Sequence, residues 1–167
     1  MSIDSVLTDN PRLNLAILLQ EKVRRAKTNR LKYYRPYQKQ LEFHELGSKY
    51  RERLLSAGNQ SGKTYSAAME TAMHATGRYP DWWKGKVFEK PVAGLAASVT
   101  SELTRDGVQR LLLGRPGIQS EYGMAALPRD AIKEISPRAG VPNTVSNIIV
   151  RHGGGGDVQQ GESSILI

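Results

Sequence analysis

A chain of 167 residues with 24 lysines and arginines against 16 aspartates and glutamates, a formal net charge of +8, has room for one ordinary domain and not for two full catalytic domains. The positive excess favours a polyanionic partner over an acidic protein or a neutral metabolite. The absence of cysteine excludes disulfides and thiolate metal sites, no apolar run reaches the ~20 residues of a membrane-spanning helix, and Met1-Ser2-Ile3-Asp4 lacks the flanks of a secretion signal, so the expectation is a cytoplasmic protein with no membrane partner.

In chain order, Asn10-Pro11 opens a predicted helix running to Tyr34, because Asn caps a helix and Pro fits its first position. Its beginning is apolar (Leu13, Leu15, Ile17, Leu18, Leu19) and its end basic (Lys22, Arg24, Arg25, Lys27, Arg30, Lys32). The basic end reads first as a solvated face and second as a phosphate contact. A second helix is predicted from Pro36 to Arg53, with Tyr37, Leu41, Phe43, His44 and Leu46 as its apolar positions. The pattern then changes. Leu54 to Ala57 reads as a short buried strand, Ala57-Gly58-Asn59-Gln60-Ser61-Gly62-Lys63-Thr64 as a loop, and Thr64 to Ala75 as a helix.

Strand, glycine loop and helix in that order suit a phosphate-binding loop, because backbone N–H groups at a helix start converge on an anion. Gly58 and Gly62 are expected to supply the unusual backbone angles. Lys63 would reach the β- and γ-phosphates, and the Thr64 hydroxyl would join the shell of a magnesium ion bridging them. The strict pattern wants glycine at position 57, where this chain has the small residue alanine. Upstream, the Gln38 amide has the donor and acceptor that match an adenine edge, and Tyr37 or Arg35 has a face to stack on it; a surface role for Gln38 stays equally open. If Gln38 reads the base, ATP is preferred to GTP.

After the loop helix, Gly77 to Trp83 reads as a turn with aromatics that plug the core more readily than they stack on nucleic acid, and a basic stretch runs from Lys84 to Lys90. Val92 to Val99 is predicted to be a buried strand, followed by a helix from Thr100 to Leu113. Repeated strand–helix units predict a parallel α/β sheet with its ligand at the carboxyl ends of the strands, which would bring Ser98 to Ser101 near the nucleotide, although capping the helix accounts for them as well. Arg115 to Pro142 reads as an exposed excursion containing a short helix over Ala131 to Ile135; Val145 to Val150 and Ser164 to Ile167 read as strands, and Gly153 to Gly156 as a linker or hairpin tip. His152 reads as a loop histidine, because His44 and His74 show no metal spacing with it. No apolar run ends in Asp-Glu, and Asp106, Asp130 and Asp157 stand in helix or loop contexts. The expectation is therefore a truncated domain that binds ATP and turns it over poorly.

Tyr37-Gln38, the Ala57 to Thr64 loop, the Gly77 to Trp83 turn and the Val92 strand together make residues Tyr34 to Ile167 resemble the ATPase domain of tailed-phage terminase large subunits. The resemblance implies a P-loop NTPase-type parallel sheet flanked by helices, with a helical basic segment at 1–33 and a partial ATPase domain at 34–167. It implies ATP and Mg2+ as cofactors, and translocation of double-stranded DNA into a procapsid in the host cytoplasm. A homo-oligomeric motor, a portal, a small terminase subunit and a separate nuclease domain are implied as well. Lys63 and Thr64 would inherit the phosphate and magnesium roles and Gln38 the adenine role. Many terminases place an arginine in the loop where this chain has Asn59, so a charge stabiliser would come from elsewhere. A nucleic-acid helicase fragment and a non-catalytic nucleic-acid-binding module are the alternatives.

Overall fold

The structure, a computed structural model, describes residues 10–153 and 160–167. Helix α1, Pro11–Thr28, starts as its sequence dictates: the Asn10 side chain accepts from the Arg12 and Leu13 N–H groups, and Pro11 takes the first position. It buries no residue. Its leucines and its basic end both face solvent, the latter with Glu21 bonded to Arg24 and Arg25, which agrees with the solvated reading of the helix. The expected single helix to Tyr34 is broken at Asn29, whose side chain caps a separate turn, α2, Arg30–Tyr33. A self-capping asparagine offers the backbone a hydrogen bond outside the helix ladder, and the chain takes it. Leu31 and Tyr34 then enter the core.

Helix α3 spans Gln38–Leu46 and not Pro36 to Arg53. It stops at Gly47, and the chain from Arg53 through Gly58 carries no regular secondary structure. The predicted strand over Leu54 to Ala57 pairs with nothing among the described residues, and Leu54 is 91% exposed. Helix α4, Lys63–Thr76, is the central helix. Ser66, Met69, Ala72, Met73 and Thr76 recur at helical spacing and are all buried, and the helix packs against β3 and β4.

Among the described residues the sheet has four strands in the order β1-β4-β3-β2. Strand β1 is Ala93–Leu95, β2 Ile132–Pro137, β3 Val145–His152 and β4 Gly161–Leu166. Only β1 and β4 run parallel; β4 with β3 and β3 with β2 are antiparallel. The architecture is α/β as expected, but the sheet is mixed where a parallel one was predicted. The reason lies after Arg115: the stretch read as an excursion supplies β2, which folds back on β3 without an intervening crossover helix. The short helix expected over Ala131 to Ile135 is strand instead; the register shifts at Ile132/Glu134 and Ser136/Pro137 break the strict alternation that would have marked it. The excursion is also not wholly exposed, since Ala125, Ala126, Leu127 and Ala131 are buried.

The predicted Val92 to Val99 strand is reduced to three residues with Ala93 and Leu95 exposed. The predicted helix to Leu113 forms as α5, Ser101–Leu103, a wide π turn over Thr104–Gln109, and α6, Arg110–Leu112. Among the residues from Ser98 to Ser101, Thr100 caps α5 through its side chain, accepting from the Leu103 N–H. His152, expected in a loop, ends β3 and is buried, with Nδ1 facing the Ala75 carbonyl at 3.1 Å. Gly154 to Gly156 and Asp157 lie outside the described residues.

Candidate functional site

The chain turns sharply from the Arg53–Gly58 segment into α4. Gln60 (φ 59°) and Gly62 (φ 77°) adopt left-handed backbone, whereas Gly58 does not, and a side chain at Gly58 would meet nothing within 4 Å. The expectation for Gly62 holds and that for Gly58 is corrected: a non-glycine residue, Gln60, takes the second left-handed position at a cost in strain. Ser61 Oγ donates to the Gly58 carbonyl at 2.8 Å and closes the loop on itself. Lys63 Nζ donates to the carbonyls of Ala57 (2.7 Å) and Gly58 (2.8 Å), so the ammonium is folded back over the loop.

Gly62 is the N-cap of α4 and offers no side-chain acceptor to its first-turn N–H groups. The positive end of a 14-residue helix and the Lys63 ammonium therefore meet at one small loop. Thr64 is exposed beside it. On the far side of Thr64 a groove of about 730 Å3 is lined by Lys27, Arg30, Arg110 and Arg115 together with Asp106 and Glu121. Arg115 is tied to Glu121. A larger hollow of about 960 Å3, against β2, contains none of the loop residues.

Tyr37 and Gln38 stand at the start of α3, both exposed. The glutamine that touches the loop is Gln40. Its Nε2 lies 3.4 Å from the Ser61 carbonyl and 3.3 Å from the Gly62 carbonyl, and its Oε1 accepts from the Tyr37 N–H at 3.0 Å. Sequence reasoning passed over Gln40, although Gln40 and His44 are four apart and so share one helix face, away from Gln38.

Behind the loop, α3, α4 and Arg53 are joined through Glu70. This carboxylate accepts from His44 Nδ1 at 2.8 Å and from Arg53 Nη2 at 2.6 Å, and His74 Nε2 lies 3.3 Å away. Burial would raise the Glu70 pKa, but the hydrogen bonds from His44, His74 and Arg53 outweigh it and hold the group well below the ordinary carboxylate range. His44 Nε2 is 3.1 Å from both the Tyr34 hydroxyl and Ser66 Oγ. Burial raises the Tyr34 pKa, opposed by its hydrogen bond to Ser66. Arg53 also donates to the Phe43 carbonyl and lies over the Phe43 ring at 4.5 Å. Trp82 and Trp83 pack on this layer, with Trp83 5.2 Å from His44 and Trp82 5.9 Å from Tyr34 between ring centres, which bears out packing over nucleic-acid stacking.

The loop and the helix it feeds fall within residues 54–156, which match the family model described as terminase large subunit, T4likevirus-type, N-terminal. The chain belongs to the terminase large-subunit family. It is 34% identical to the terminase large subunit of Salmonella phage P22, over 98% of this chain and 36% of that protein, so it spans about a third of that relative's length. No solved structure matches it. Membership decides between the terminase and helicase readings of the same segments in favour of the terminase. Among the described residues no helix is long and apolar enough to cross a membrane, and no group of His, Asp and Glu side chains is placed to hold a metal ion.

Proposed function

We propose that Ala57 to Thr64 binds the phosphates of Mg-ATP and that this chain is the ATP-binding part of a DNA-packaging motor. The observation that carries the reading is the left-handed Gly62 leading into an α4 N-terminus without a side-chain cap, with Lys63 held over the loop. Five roles follow from the chemistry. The N–H groups of Gly62, Lys63 and Thr64 donate to phosphate oxygens, and Lys63 exchanges its two carbonyl partners for the β- and γ-phosphates. Thr64 contributes its hydroxyl to Mg2+, which when bound neutralises charge on those oxygens. Asn59, Gln60 and Ser61 shape the loop. Tyr37 and Gln38 face the base from the exposed start of α3.

Asn59 brings no positive charge to the loop, and the groove beyond Thr64 offers Lys27, Arg30 and Arg110 as cations from this chain's own surface. The wider reading assigns double-stranded DNA as the translocated substrate. The portal, the procapsid and the small terminase subunit are its partners, a homo-oligomer is its working form, and the host cytoplasm is its location. Family membership and the +8 charge support that assignment.

Calorimetric titration of the purified chain with Mg-ATP and Mg-GTP tests it. Wild type is expected to bind ATP more tightly than GTP, with little turnover in the same samples, and Lys63→Ala to remove binding while the unfolding transition stays in place. Equal affinity in wild type and Lys63→Ala would refute the proposal.

A further inference from the structure

The Gln40 amide bridges from α3 to the loop. Its orientation follows from its partners: the Tyr37 N–H only donates, so the group 3.0 Å from it is Oε1, and Nε2 must face the Ser61 and Gly62 carbonyls. Gln40 is 6% exposed, and the Tyr34 hydroxyl lies 3.4 Å from the same Oε1, so the amide is fixed from two sides. A Cβ on Gly62 would come within 2.8 Å of Nε2. Glycine at 62 therefore serves two ends, its left-handed backbone and the close approach of this amide. In a trans peptide the N–H points opposite to its carbonyl, so a donor on the Ser61 carbonyl, and on the Gly62 carbonyl beside the Ser66 N–H at 2.9 Å, helps to fix the direction of the Gly62 and Lys63 N–H groups.

We infer that Gln40 is a positioning residue for the phosphate loop: its amide holds the Ser61 and Gly62 peptides in their anion-binding orientation and leaves base recognition to other groups. The inference rests on the nucleotide reading above and specifies which glutamine serves which half of the ligand. Gln38 is exposed at the start of α3, whereas Gln40 is spent on the backbone.

The test measures equilibrium binding of Mg-ATP, Mg-GTP and Mg-tripolyphosphate to the full chain, its Gln40→Ala variant and its Gln40→Met variant, which keeps the length and burial of the side chain without its polar atoms. Both variants are expected to weaken all three ligands by a similar factor, roughly tenfold, and to leave the ATP-to-GTP ratio unchanged. Amide hydrogen exchange without ligand is expected to speed up at residues 61–64 and stay as in wild type at Met69 to Met73. A loss confined to ATP would make Gln40 a base reader and overturn the inference. So would unchanged exchange at residues 61–64, or equally accelerated exchange through the whole of α4, which would mark a purely structural role. If wild type binds none of the three ligands, the nucleotide reading falls, and the exchange measurement still decides whether Gln40 holds the loop.

Discussion

Among single residues, two glycines of the loop that look alike in the sequence do different work. Gly62 has φ 77° and the Gln40 amide against it, whereas Gly58 has ordinary backbone and open space where a side chain would go. Gly62→Ala is expected to cost about 1–2 kcal/mol from the left-handed backbone alone, and more if Gln40 cannot yield. Gly58→Ala is expected to stay within about 0.5 kcal/mol of wild type. Urea unfolding of the two variants checks this, and equal losses would contradict the assignment of the turn. The turn into α4 was legible because Gly62 stands directly before a run of good helix formers, whereas the strand expected over Leu54 to Ala57 was misread, since four short apolar residues do not show whether a partner strand exists. Which glycine carries the strained angle was not legible, since spacing does not reveal that Gln60 takes one of the left-handed positions. Nor was Gln40 legible as a loop contact, because its role depends on α3 lying against the loop.

Between elements, Glu70 is the junction. It ties α4 to α3 through His44 and to the segment entering the loop through Arg53, so the two ends of the loop are fixed on one carboxylate. Its pKa is lower in the folded state than the roughly 4.3 of an unfolded glutamate. The folded state therefore binds fewer protons as the pH drops through that region. The stabilisation is complete above about pH 4.3 and is lost progressively as pH falls toward the depressed folded value. Glu70→Gln is expected to lower stability at neutral pH by about 2–4 kcal/mol, since it leaves Arg53 without its counter-charge and His44 Nδ1 without its carboxylate acceptor. It is also expected to flatten the acid limb of the stability curve. A wild-type acid limb retained in full by Glu70→Gln would show that other carboxylates carry it. The sequence marked α4 and the caps at Asn10 and Thr100 because those signals are local. It misjudged the ends of the other helices, where Asn29 and Gly47 stop the chain, and the β2 segment, where pairing with β3 decides for strand.

At the scale of the molecule, α4 lies across a mixed sheet with the loop at its N-terminal end, so the loop is carried by the best-packed helix of the fold. The α/β class was legible from alternating strand and helix patterns. The strand directions were not, because direction depends on how the chain returns between strands, and the stretch from Arg115 to Pro142 hid β2 inside what looked like a loop. Along β1 the short strand pairs on one side with β4 among the described residues, with Leu95 75% exposed. Amide NMR of the chain titrated with Mg-ATP, with Mg-tripolyphosphate as the base-free control, decides whether the loop before α4 holds phosphate. Both ligands are expected to shift the N–H signals of Gly62, Lys63 and Thr64 most strongly, ATP alone also to shift those of Tyr37 and Gln38, and Lys63→Ala to abolish all these changes. Saturable binding that leaves the 62–64 signals in place and moves signals elsewhere would contradict phosphate binding at this loop.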